Sequence, residues 1–365
     1  MPAQFRDLAF RYYLVPLLGV AAVVFFWGQT LNIWLLLALG ALLIAAVFVA
    51  VNHAEVIALR VKEPFGSLVL AVSVTVIEVA MIVVLMLQAP KETEGLARDA
   101  VFGAVMIAMN GIVGISLLTA TRGRRVATFI PAGVGGAVSV LVALATLSLV
   151  LPSFTISSPG PTFTTTQLAL SATVSLFLYG VFLFFLTVQH RDYFLPEPEK
   201  LETGTIRIHV EPPTKFRVAL SLAGLLTSLV AIIGLAQLSS PLIQESVTTM
   251  GLPQKVVGLS IALVVLLPES LSAVRAARLR RTQTSLNLAY GSALASIGLT
   301  IPTVAVLSIV FGYQLNLGLS SAEIVLLAVT LIVSAMTVLP GKASAVQGAI
   351  HLAIFGSFLA FVVMP

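Results

Sequence analysis

Cysteine is absent from the 365 residues. No disulfide, thiolate metal site or cysteine nucleophile is therefore available. Charge is scarce: Asp, Glu, Lys and Arg make up 10% of the chain, against about 25% in a soluble globular protein. Histidine occurs four times, at His53, His190, His209 and His351, with no metal-binding spacing; each is expected to be structural. HExxH, GxSxG and P-loop patterns are missing. A membrane hydrolase and an ATP-driven pump therefore have nothing to rest on, and no cofactor is expected. What fills the chain is apolar residue, 58% of the total, with a mean hydropathy of +1.07. That composition is an integral membrane protein's, with the lipid bilayer as its surroundings. The net charge of +5 sits in short loops between apolar runs, so it does not argue for nucleic acid.

Apolar runs bounded by charge, Pro or Gly predict eleven helices. The first two are expected over Tyr12–Trp27 and Leu31–Val51, the third over Pro64–Leu87 with Pro64 in its first turn. The seventh is expected over Phe216–Leu238 and the eighth over Val256–Val274. Arg6 and Arg11 precede the first run as in a signal peptide, but the run continues through Trp27 with no small-residue cleavage pattern, so an uncleaved helix is expected. With a cytoplasmic N-terminus, seventeen of the 20 Lys and Arg residues fall on the inside and only Lys91, Arg98 and Lys255 outside. The positive-inside rule then places the multi-pass chain in the cytoplasmic (inner) membrane with its C-terminus outside.

Setting the first helix aside leaves five helices on either side of a polar segment of Pro, Glu and mixed Arg and Lys. Five is odd, so the two blocks enter the membrane from opposite sides, the arrangement of inverted repeats that hold a substrate site between them. The expected organisation is residues 1–30 as tail and first helix, 31–189 as first repeat, 190–215 as cytoplasmic linker and 216–365 as second repeat. The expected fold is all-α: a polytopic membrane protein of eleven transmembrane helices, one peripheral helix plus two inverted five-helix repeats. Traces of the repeat survive locally. The second helix of each block carries a lone glutamate, and the third carries Phe102-Gly103-Ala104 or Tyr290-Gly291-Ser292.

Of the 15 acidic residues, only Glu78 and Glu269 lie well inside spans, with no Lys or Arg at comparable depth. A charge at mid-bilayer costs at least ~2.5–3.5 kcal/mol on insertion scales, so an intramembrane carboxylate marks function by default. Such a group is neutralised by a proton or by a metal cation. Two of them facing each other take two protons or one divalent cation, and the two fillings exclude one another, which is the physical basis of antiport. Hard cations such as Ca²⁺ need six or more oxygens, and two carboxylates supply up to four. Pro268 frees a carbonyl one turn earlier, near Val264 or Val265. Thr75 lies on the face of Glu78, and Ser270 adjoins Glu269. Asn110, Gly111 and Gly114, with Asn287, Ser292 and Ser296, make the third helix of each block its most polar. Small and hydroxyl residues also serve simply to pack membrane helices, as at Gly66 and Gly258.

The runs EPFGSLVLAVSVTVIEV, LLPES and SLNLAYGSALASIGLTIP resemble the calcium/proton antiporters of the calcium/cation antiporter superfamily, in its bacterial ChaA-like branch. The resemblance spans nearly the whole chain. It implies two inverted five-helix repeats with an extra first helix, and that Glu78 and Glu269 bind the exchanged ion and the counter-protons. It also implies that Gly103 and Ala104, with Gly291 and Ser292, lie near the site and lend backbone or hydroxyl oxygens. Many superfamily members carry a Gly-Asn pair before each glutamate; here Val74-Thr75 and Leu266 stand in its place. The expected activity is export of Ca²⁺ against H⁺. Na⁺ or K⁺ exchange, a passive cation channel and a non-transporting scaffold are the alternatives, and a homo-oligomer is compatible with all of them.

Overall fold

The computed structural model describes residues 3–29, 31–61, 65–88, 94–189 and 213–364. Residues 190–212 of the proposed linker, with His190 and His209, and Pro64 and Lys91 fall outside the described residues. Eleven helices follow in order: α1 (Ala3–Phe26), α2 (Ile33–Val61), α3 (Phe65–Gln88), α4 (Leu96–Ala120), α5 (Pro131–Phe154), α6 (Thr165–Val188), α7 (Lys215–Thr249), α8 (Lys255–Arg278), α9 (Thr282–Phe311), α10 (Ser321–Val338) and α11 (Ala345–Val363). Ten are long and apolar enough to cross a membrane, and α1 adds the shorter apolar helix Tyr12–Phe26. The chain is thus an all-α, multi-pass membrane protein with a first helix and two inverted sets of five, α2–α6 and α7–α11.

Helix ends follow local chemistry. Pro131 opens α5, where its missing N–H has no helical partner to lose. Thr164 with Gln167, Ser320 with Glu323 and Ser344 with Gln347 form capping boxes at α6, α10 and α11. Gly312, at φ +69°, ends α9 in the left-handed conformation. Several helices are longer than expected: α1 starts at Ala3 rather than Tyr12 and α8 runs to Arg278 rather than Val274. Helix α2 continues beyond Val51 to Val61 and takes in His53 and Glu55, and α7 continues beyond Leu238 to Thr249. Polar side chains that read as loop in the sequence are absorbed because neighbouring helices serve them. His53 is buried, and its Nε2 lies 3.3 Å from the Tyr12 carbonyl of α1.

The packing repeats with the chain. Helix α4 packs on α8 and α11, and its counterpart α9 packs on α3 and α6; α2 lies against its own counterpart α7. Gly258 allows one of these crossings: a Cβ there would stand 2.8 Å from the Ala100 nitrogen of α4. Gly66 does the same between α3 and α2, 2.8 Å from the Ala58 carbonyl oxygen. Helix α4 is the most enclosed span, with 89% of its apolar window buried. It is also irregular, a six-residue π-helical turn occupying Ile107–Ile112. The halves join outside the bilayer-length helices as well. Strand β1 (Ala127–Thr128), between α4 and α5, pairs antiparallel with β2 (Lys342–Ala343), between α10 and α11. At the other end Thr162 bridges Asn316, whose N–H also donates to the Glu94 carbonyl at 3.0 Å.

Candidate cation site

Glu78 lies near the middle of α3 and Glu269 near the middle of α8, 2% and 5% exposed. Their burial is enforced by position, since α3 and α8 both pack against α9. Helix α9 brings the two together. Ser296 Oγ donates to Glu78 Oε1 at 2.7 Å, and Ser292 Oγ donates to Glu269 Oε2. Ser292 and Ser296 are four residues apart, so they share one face and differ in height by about 6 Å. One turn of one helix therefore serves both carboxyls, and Glu78 lies within range of the charge on Glu269. The ion pairs among the described residues lie elsewhere, Arg98 with Asp99 and Lys255 with Glu323. Two buried acids without a basic partner need a cation or protons to be neutral.

The remaining oxygens are hydroxyl and backbone. Thr75 is buried, and its Oγ1 donates to the Ala71 carbonyl at 2.9 Å. Ser270 Oγ donates to the Leu266 carbonyl at 2.7 Å. With its proton spent on its own helix, each hydroxyl keeps lone pairs to offer a cation. Helix α8 runs unbroken through Pro268, which has no N–H for the Val264 carbonyl. Pro302 in α9 leaves the Gly298 carbonyl in the same state. Among the described residues no group of three or more His, Asp or Glu is placed to hold a metal. The acidic groups the site offers are therefore two carboxylates, with the neutral oxygens of hydroxyls and freed carbonyls on the same helices.

The other residues singled out in the sequence separate into two settings. Gly103 stands in the α4–α8 contact, where a Cβ would lie 3.5 Å from Leu259 Cα and 3.6 Å from Ala262 Cβ. Ala104 beside it is fully buried. Gly291, one residue before Ser292, faces open space, with nothing within 4 Å of a Cβ. Ser296 stands out in the structure as a carboxylate partner, whereas in sequence it is one hydroxyl among many. Its signal is the i, i+4 spacing from Ser292. The second repeat supplies both hydroxyl donors.

The comparisons agree with this architecture. Residues 31–188 and 220–364 match the family described as sodium/calcium exchanger protein, which takes in both sets of five helices. The chain is 44% identical over 356 residues to the putative ionic transporter y4hA of Sinorhizobium fredii (strain NBRC 101917 / NGR234), covering 97% of this chain and 96% of that one. It is 32% identical over 350 residues to the sodium-potassium/proton antiporter ChaA of Escherichia coli (strain K12), covering 95% and 94%. In fold it is similar to the crystal structure of the H⁺/Ca²⁺ exchanger CAX, with a TM-score of 0.71, 16% identity, and coverage of 98% of this chain and 88% of that one. By these matches the chain belongs to the sodium/calcium exchanger protein family, a family of membrane cation antiporters.

Proposed function

We propose that the protein is a proton-driven antiporter of the cytoplasmic membrane that expels Ca²⁺, with Glu78 and Glu269 as the exchange site and the N-terminus inside. The observation that carries this is the pairing of two buried carboxylates, without basic partners, on adjacent hydroxyls of α9. One divalent cation or two protons leaves that pair neutral; an empty pair leaves two charges in a low-dielectric interior. Passage between the two states of access is then allowed when the site is filled by either occupant and opposed when it is empty. Protons arriving from outside displace the cation, and the cation arriving from inside displaces the protons. Inverted repeats supply two related conformations with access on opposite sides.

A second reading keeps the exchange and changes the ion to Na⁺ or K⁺. It is favoured by Leu266, buried three residues before Glu269 where Thr75 stands before Glu78. An apolar side chain there removes an oxygen that a six- to eight-coordinate Ca²⁺ would use. The Escherichia coli relative, named for sodium and potassium, points the same way. Purified protein in vesicles with a pH gradient decides. The expected result is calcium movement driven by the gradient, abolished by Glu78→Gln and by Glu269→Gln. Normal exchange by either variant overturns the site, and preference for Na⁺ or K⁺ in competition replaces Ca²⁺ by the monovalent ion. Conduction without proton movement would make the protein a channel.

A further inference from the structure

His351 in α11 looks isolated in sequence, but it is fully buried at the centre of a polar chain. The chain links α10, α11 and the π-helical turn of α4. Thr330 Oγ1 of α10 donates to the Leu326 carbonyl at 2.8 Å, with Met106 Sδ as a weak second acceptor. Asn110 Nδ2 donates to Thr330 Oγ1 at 2.8 Å. His351 Nδ1 lies 3.1 Å from Asn110 Oδ1, with the Met109 carbonyl as a further partner of the ring. His351 Nε2 lies 3.1 Å from Thr337 Oγ1 of α10.

The donors fix the directions. Thr330 has one proton and spends it on its own helix, so it must accept from Asn110. That turns the Asn110 oxygen, which can only accept, toward the imidazole. Nδ1 must therefore carry the hydrogen, and the neutral ring offers a bare Nε2 to the Thr337 hydroxyl. All four side chains, each at most 1% exposed, are satisfied in this one arrangement. Reversing the imidazole tautomer leaves the Asn110 oxygen without its donor, and buried polar groups are costly to leave unpaired.

The clamped segment touches the exchange site's own helices. The π-helical turn Ile107–Ile112 packs against both α8, which carries Glu269, and α9, which carries Ser292 and Ser296. Before this turn α4 lies mainly on α8, and after it on α11. A π-helical turn holds one residue more than an α-turn, and such turns occur frequently at functional sites. We propose that His351, as the Nδ1–H tautomer, is a positioning residue for cation binding: through Asn110 it holds the α4 turn that backs the helices of the two glutamates. This rests on the exchange function proposed for Glu78 and Glu269.

Two substitutions split the ring's two contacts. In His351→Asn the side-chain amide stands where Nδ1 was and keeps a donor for Asn110. In His351→Gln it stands nearer the place of Nε2, keeping Thr337 and losing Asn110. The assay is cation-driven proton movement in vesicles across a series of Ca²⁺, Na⁺ and K⁺ concentrations, with thermal unfolding of each variant alongside. H351N is expected to keep the wild-type half-saturating concentration, and H351Q to raise it about tenfold, the scale of one buried hydrogen bond. Thr337→Val, which leaves Nε2 without its donor and the ring with one anchor fewer, is expected to raise it about threefold; it carries the test if H351Q does not fold. Variants that differ from wild type only in unfolding temperature overturn the positioning role. H351N as impaired as H351Q overturns the tautomer, and T337V with wild-type affinity overturns the holding of the ring from α10. Wild-type vesicles with no exchange of any of the three cations would instead refute the proposed function, and this inference with it.

Discussion

Removing the Ser296 hydroxyl separates the contribution of α9 from that of the glutamates themselves. The hydroxyl is 1% exposed and donates to Glu78 at 2.7 Å, so Ser296→Ala leaves a buried carboxylate oxygen with one donor fewer. A hydrogen bond to a charged group contributes about 1.5–3 kcal/mol in water-soluble proteins. Within membranes measured values average about 0.6 and reach about 1.7 kcal/mol. A loss of about 1–1.5 kcal/mol is the reasoned middle, a rise of roughly five- to twelvefold in the half-saturating cation concentration. Ser292→Ala should act similarly through Glu269. If both carboxyls hold one ion, the double variant should show the product of the two effects, about 25- to 150-fold. Ser296→Thr keeps a hydroxyl and should stay close to wild type. Ser139, whose Oγ donates to the Gly135 carbonyl on an exposed face of α5, is the control: Ser139→Ala should shift nothing beyond about twofold. The assay is dye-reported proton release from acid-loaded vesicles as cation is titrated. A folded Ser296→Ala protein with wild-type half-saturation would refute the role of α9.

Other perturbations test other parts of the structure. Gly258→Ala forces a methyl to 2.8 Å from the Ala100 backbone nitrogen, so it should destabilise by about 1–3 kcal/mol and lower the unfolding temperature in detergent; Gly291→Ala, which meets nothing within 4 Å, should unfold as wild type does. Ser344→Ala removes the cap of α11, where the hydroxyl accepts from the Val346 N–H at 3.3 Å, and should cost about 1 kcal/mol in the same measurement. Because the chain has no cysteine, single replacements report orientation directly. Lys342→Cys should be labelled by an impermeant maleimide only from the cytoplasmic side and Tyr313→Cys only from outside, and the reverse would invert the topology.

Much of this was readable from residue order because burial in lipid is so selective. Glu78 and Glu269 stand out in sequence since nothing but a function keeps a lone acid in an apolar run, and the structure buries both. The opposite sense of the two five-helix sets follows from counting. The hydroxyls are less legible. Thr75, Ser270 and Ser296 look alike in sequence, yet two bond to their own helix and one to Glu78, a distinction made by how helices face each other. The polar end of α2 is hard to read because His53 resembles a loop residue until α1 supplies a partner. The His351 chain was invisible because Asn110 and His351 are 241 positions apart and no local pattern announces a π-helical turn.

The short ties between the halves also limit how the molecule can move. At one rim β1 is laced to β2; at the other, Thr162 meets Asn316, and the Gly318 and Leu319 N–H groups donate to Pro161 and Leu149 at 2.9 Å each. Pivoting one whole set of five against the other would tear backbone hydrogen bonds at both rims in every cycle. Helices α1, α2 and α7 are packed on one another and take no part in this lacing. Any motion that leaves these rim bonds intact therefore has to take place inside the frame they brace, between helices that the rims do not tie.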